Sequence, residues 1–163
     1  MCCKDCREIE GKFSIDSFDV VKDNLKKSGF TKTEVYTEFN KVFISQNDSF
    51  IRIRSIDNTY FLTIKGDSSL SEYNNRFEFE REITNFERLG LESCFNFSIF
   101  YSKVREIYLS SINSNIVICL DTFSNSILFV EIEASNENEI THYKELLGIK
   151  SNNINTPYWK LIK

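Results

Sequence analysis

Glu8, Glu10 and Lys12 stand at alternate positions in Arg7-Glu8-Ile9-Glu10-Gly11-Lys12-Phe13. Successive side chains of a β-strand point to opposite faces, so these three would share one face, with Ile9, Gly11 and Phe13 on the other. A helix would scatter them. Carboxylates grouped in this way suit a divalent cation, and a lysine beside them suits a phosphate. A solvated surface strand has the same look once, but this chain repeats the pattern. Arg52-x-Arg54, Arg76-x-Glu78-x-Glu80, Lys103-x-Arg105 and Glu131-x-Glu133 place charge at every second position, Thr63-x-Lys65 puts a hydroxyl and an ammonium together in the same way, and a single Asp121 joins the set. An ordinary half-buried strand alternates apolar with mixed polar residues, whereas these polar faces select charge of both signs. Like charges turned toward a shared centre are destabilising and call for a partner there: divalent cations for the carboxylates, a polyphosphate for the bases.

The elements that would position these residues follow from periodicity. Strands are expected over 7–13, 33–39, 42–44, 50–55, 60–66, 76–82, 97–108, 116–121 and 128–133, with turns at Asn47-Asp48 and Asp57-Asn58. Asp16 or Ser17 can cap a helix carrying Phe18, Val20, Val21 and Leu25 on one side, with Gly29 as its stop. A helical piece near Thr84–Leu89 is ended by Gly90, and another from about Asn138 to Leu147 by Gly148. A Pro157-led turn carries Tyr158, Trp159 and Leu161, which anchor the end of the chain or plug one end of the structure.

The 163 residues, 41% hydrophobic and 14% aromatic, make one domain spanning 1–163. No apolar run of roughly 18 residues is present and the first residues lack the apolar core of a signal peptide, so the expected location is cytoplasmic, away from membranes. A net charge of -4 argues against nucleic acid as a partner. Five cysteines without an export signal fit reduced thiols. Cys3 and Cys6 have C-x-x-C spacing, but a structural zinc site takes four ligands, and a frayed terminus with exposed thiols is expected instead. Cys94 and Cys119 lie among apolar residues and read as small core side chains, and His142 reads as a helix-surface residue.

The ordered set of charged motifs from Glu8 to Glu133 resembles the CYTH superfamily, also called triphosphate tunnel metalloenzymes, over most of the chain. The resemblance implies an α+β, mainly β fold: an eight-stranded antiparallel β-barrel whose hydrophilic tunnel binds a triphosphate with Mg²⁺ or Mn²⁺, with helices packed outside. It assigns Lys12, Arg52, Arg54, Lys65, Arg76, Lys103 and Arg105 to phosphate binding. Glu8, Glu10, Glu78, Glu80, Asp121, Glu131 and Glu133 become metal ligands or their helpers, and catalytic roles fall to Glu8, Glu10, Lys12 and Glu133. The chain departs from the family at Asn125-Ser126-Ile127-Leu128, where many members carry a Leu-Gly turn.

The resemblance leaves the reaction open. Thr63–Gly66, Arg76–Glu80 and the compact length look most similar to small bacterial inorganic triphosphatases, while Leu146–Ile149 and Pro157–Ile162 are similar to the class IV adenylyl cyclase-like branch. The expectation is metal-dependent hydrolysis of inorganic tripolyphosphate or an organic triphosphate. Nucleotide cyclisation or thiamine triphosphate hydrolysis is the alternative, and a non-catalytic nucleotide or polyphosphate module a further one. The expected partner is a small-molecule triphosphate, and a homodimer is compatible with this reading.

Overall fold

A computed structural model describes residues 4–44, 49–66, 72–97 and 99–162, giving the backbone alone for 4–8. Eight strands close into one antiparallel barrel in the order β1-β5-β4-β3-β2-β6-β7-β8. They are β1 (Lys4–Ile15), β2 (Phe30–Ile44), β3 (Phe50–Ile56), β4 (Thr59–Lys65), β5 (Asn74–Ile83), β6 (Ile99–Ser110), β7 (Val117–Phe123) and β8 (Leu128–Ala134). Helices α1 (Asp19–Lys27), α2 (Asn85–Cys94), α3 (Glu137–Leu146) and α4 (Tyr158–Leu161) lie between or after them. None of the described helices is long and apolar enough to cross a membrane.

Alternation decides where the core sits. The tunnel-facing positions are charged, so apolar packing is moved to the outside of the barrel. Phe13 of β1, Ile118 and Leu120 of β7, and Val130 and Ile132 of β8 pack there against Val21 and Leu25 of α1 and Ile140 of α3. Each such fully buried aliphatic side chain contributes about 2 kcal/mol. Gly11 permits the close approach of α3 to β1: a Cβ at that position would lie 2.6 Å from Ile140 Cγ2. Charge inside and hydrocarbon outside are therefore two consequences of one period-two pattern.

Several local expectations are corrected. The region from 33 to 44 is one strand, β2, with its register shift between Lys32 and Glu34. Phe18 itself is the N-cap of α1, and Ser17 Oγ accepts from the Asp19 N–H at 3.1 Å. Val20 points outward, 61% exposed, because the buried stripe of this short helix is only Val21 and Leu25. Helix α2 runs through Gly90 to Cys94. The Thr84/Glu87 capping box starts it firmly, and the cost of a mid-helix glycine, about 1 kcal/mol, is too small to end it. Cys119 is buried as expected, but Cys94 on the last turn of α2 is exposed.

The helices do not cover every apolar outer position. Phe39 on β2 and Phe100 on β6 remain 59% and 64% exposed. The Asp57-Asn58 turn joins β3 to β4, with Asp57 at φ 51°. The Asn47-Asp48 turn and Cys2, Cys3 fall outside the described residues, as does the side chain of Cys6.

Candidate functional site

Register brings the two ends of the sequence together. Glu10 of β1 pairs with Glu133 of β8, and Lys12 with Glu131. Across the other seams Arg105 faces Asp121, Arg52 faces Thr63, Thr63 faces Glu80, and Lys65 faces Glu78. The cavity inside the barrel has a volume of about 530 Å³. Seven bases, Lys12, Arg52, Arg54, Lys65, Arg76, Lys103 and Arg105, line it together with Glu10, Glu78, Glu80, Glu131 and Glu133. Positive charge is thus in excess on the described wall. The side chain of Glu8 lies outside the described residues; its backbone pairs with Arg76.

The carboxylates are held by the bases. Arg76 and Asn74 both donate to Glu10 Oε1, at 2.9 and 3.2 Å. Arg54 donates to Glu80 at 2.5 Å, and the Thr63 hydroxyl, which accepts from Arg52, donates to the other Glu80 oxygen at 2.7 Å. Lys65 Nζ is 2.8 Å from Glu78. Arg105 grips both oxygens of Asp121 at 2.7 and 2.6 Å and also pairs with Glu131. Lys103 donates to Asp121 at 2.7 Å.

Burial alone would raise the carboxylate pKa values, but the surrounding cations outweigh it. Arg105, Lys103 and Lys12 hold Glu131 well below the usual range, and Arg54 and Arg52 hold Glu80 below it. Lys12 is lowered, chiefly by burial, against the opposing attraction of Glu131 and Glu10. Burial and Arg105 oppose the charge on Lys103, yet Asp121, Glu38 and Glu131 leave its pKa raised.

Asp121, expected among the metal ligands, is fully buried and stands behind the lining, its oxygens taken by Lys103, Arg105 and Tyr158. The sequence pattern missed Glu38, Asn40 and Asn74. Tyr36, Glu38 and Asn40 do share one strand face, but that face repeats no charge and so carries none of the alternation that marks the other strands. Glu38 and Asn40 are buried, and Asn40 donates to Glu38 at 3.0 Å. His142 is exposed on α3, as expected.

The C-terminal segment completes the site. Pairing of β1 with β5 stops at Glu10. At Lys12 the main chain instead receives Asn153, whose Oδ1 accepts from Lys12 N–H at 2.7 Å, and Ile154, whose N–H donates to Lys12 O at 2.8 Å. Tyr158 then packs on Phe123 and Phe129, ring centroids 4.9 and 5.0 Å away, at the β7–β8 turn end of the barrel. Its ring also lies 4.4 Å from Lys12 Nζ and 4.6 Å from Lys103 Nζ. Uncharged residues, Ser114, Asn115, Val117, Ala134 and Ser135, line the cavity at the opposite end of β7 and β8.

A divalent cation fits the donor chemistry. Glu10 and Glu133 are cross-strand neighbours, and both offer only oxygen, which Mg²⁺ and Mn²⁺ accept. Among the described residues no three potential ligands close on one point. The geometry accounts for this, since Glu10, Glu80 and Glu131 are each turned onto a base.

A CYTH domain family model matches residues 7–153. No curated protein matches the sequence. A protein from Pyrococcus horikoshii OT3 superimposes with a TM-score of 0.80 at 23% identity, covering 96% of this chain and 99% of that one. A Vibrio parahaemolyticus protein described as a candidate adenylate cyclase gives 0.73 at 15% identity, over 98% and 99%. A Hippeastrum protein described as a candidate adenylyl cyclase with a dominant triphosphatase activity gives 0.68 at 17%, over 94% of each chain. These structures share the fold of this chain.

Proposed function

Because this chain belongs to the CYTH domain family, we propose that it is a metal-dependent hydrolase of the terminal phosphoanhydride of a triphosphate. The observation that carries this reading is the convergence of seven bases and five carboxylates on one cavity of about 530 Å³. A compact polyanion bound with a divalent cation suits such a wall, because the anion can take over the bases and the cation the carboxylates that now pair with one another.

Arg52, Arg54, Lys65, Arg76, Lys103 and Arg105 orient the phosphates and offset the charge that builds on their oxygens as the anhydride breaks. Glu8, Glu10 and Glu133 would hold Mg²⁺ or Mn²⁺, with Glu78, Glu80, Asp121 and Glu131 as further acidic groups. When bound, the cation neutralises phosphate oxygens and lowers the pKa of a water. Water attacks the terminal phosphorus, the bridging oxygen leaves with the bonding pair, and the released proton passes to a wall carboxylate and on to solvent. Lys12, beside Glu131, faces the terminal phosphate.

The uncharged side chains of Ser114, Asn115 and Ser135, which line the cavity next to Glu133, favour a second reading, in which an organic group extends from the phosphates and the substrate is an organic triphosphate. A product assay with tripolyphosphate, ATP and thiamine triphosphate, each with Mg²⁺ and with Mn²⁺, separates these readings. Orthophosphate release from at least one substrate is expected. Cyclic nucleotide as the main product replaces hydrolysis by cyclisation, and tight binding of all three without turnover replaces it by a binding module.

A further inference from the structure

Strand β2 stands between β3 and β6, so its inward face separates the Arg52/Arg54 pair from the Lys103/Arg105 pair. Glu38 occupies that face opposite Lys103, and Asn40 lies opposite Arg54. Glu38 is fully buried, and its side chain is absent from the cavity lining. Its Oε1 is 3.5 Å from Lys103 Nζ, and its Oε2 is 3.7 Å from Arg54 Nη1. The Asn40 amide donates to Oε1 at 3.0 Å, which sets the rotation of the carboxylate between the two bases.

A buried carboxylate is a costly way to stabilise a fold, since apolar residues of similar volume often do as well or better. Lys103 and Arg54 already have other counter-charges, Asp121 and Glu80. What Glu38 adds is a link between them across one strand.

We propose that Glu38 is a positioning residue: it touches no substrate and fixes Arg54 and Lys103 at one spacing, so that both reach the same bound triphosphate. The inference rests on the triphosphatase reading above and names a determinant of phosphate affinity that the charged motifs do not contain. Burial opposes its ionisation, and Lys103, Arg105, Arg52 and Arg54 overcome this to hold its carboxyl at about 2, so the link is charged under all working conditions.

The sign of the effect of Glu38→Gln on tripolyphosphate affinity is the test, read by calorimetry in metal-free buffer and as KM and kcat with Mg²⁺. A mere background charge acts by Coulomb's law, so its removal from a cationic tunnel tightens binding of an anion. Positioning predicts the opposite: Kd and KM rise about tenfold while kcat stays within about threefold. In a Lys103→Met background the same substitution should add less than about twofold, because its partner is already gone. Glu38→Asp keeps the charge and shortens the reach, so a several-fold weaker affinity is expected from it too, and this arm decides the matter if the Gln variant does not fold. Wild-type affinity in the folded Gln or Asp variant, or tighter binding by either, overturns the inference alone. Failure of the wild-type protein to bind any of tripolyphosphate, ATP and thiamine triphosphate overturns the triphosphatase reading and this one with it.

Discussion

The Tyr158 hydroxyl donates to Asp121 Oδ2 at 2.7 Å, joining the last helix to a carboxylate that Lys103 and Arg105 also hold. One aromatic side chain from the end of the sequence therefore touches the counter-ion of two phosphate-site bases while its face covers two ammonium groups. Tyr158→Phe keeps the ring and removes the hydroxyl, so a stability loss of about 1 kcal/mol is expected, with activity nearly kept. Tyr158→Ala also removes the packing on Phe123 and Phe129, and about 3 kcal/mol should be lost. Urea unfolding of the two variants measures the difference.

Gly11→Ala is expected to destabilise by about 1–3 kcal/mol, because the new methyl would meet Ile140 on α3 and the Phe13 ring, and neither lies at the end of a long flexible chain. A thermal melt should fall by several degrees. An unchanged melting temperature would mean that α3 is not pressed against β1 as described.

Acid should unfold the protein through its paired carboxylates. Glu38 has a folded-state pKa of about 2, below the ordinary value of 4.5. A depressed folded pKa means stability that is present above 4.5 and lost as the pH falls toward 2. Glu80 and Glu131 are shifted in the same direction. The Glu38 share is on the order of 3 kcal/mol. Urea midpoints at pH 7, 4 and 3 should drop steeply for the wild type and less steeply for Glu38→Gln.

The strands were legible because charge at every second residue has no helical explanation, and Glu10 and Glu133 were legible in the same way. Glu38 was not, since its strand face carries Tyr36 and Asn40 beside it and no repeated charge. Nor could spacing show how the acids are kept apart. A crowd of carboxylates in one cavity suggests repulsion relieved by metal or by raised pKa values, whereas Glu10, Glu80 and Glu131 are each neutralised by a base. The run of α2 past Gly90 follows from its capping box, which outweighs one glycine, and Cys94 is exposed because no residue of this helix is buried. The role of the C-terminal segment was only half visible, because the bonds of the Asn153 side chain and the Ile154 N–H to the Lys12 main chain become possible only where β5 stops short.

Lys65→Ala should raise the substrate concentration needed by about tenfold with a smaller change in kcat, since it removes a phosphate partner and no proposed metal ligand. Steady-state kinetics with the preferred triphosphate checks the split. A fall in kcat with KM unchanged would move Lys65 from binding to chemistry.

The central claim is that acidic residues from the two ends of the chain act together on a triphosphate in the tunnel. Phosphorus NMR of the preferred triphosphate, followed with and without Mg²⁺ for the wild type, Glu10→Ala and Glu133→Ala, tests it most directly. Metal-dependent release of orthophosphate by the wild type is predicted, with a loss of about a hundredfold or more in each variant. Wild-type rates and unaltered metal dependence in both variants would contradict the account.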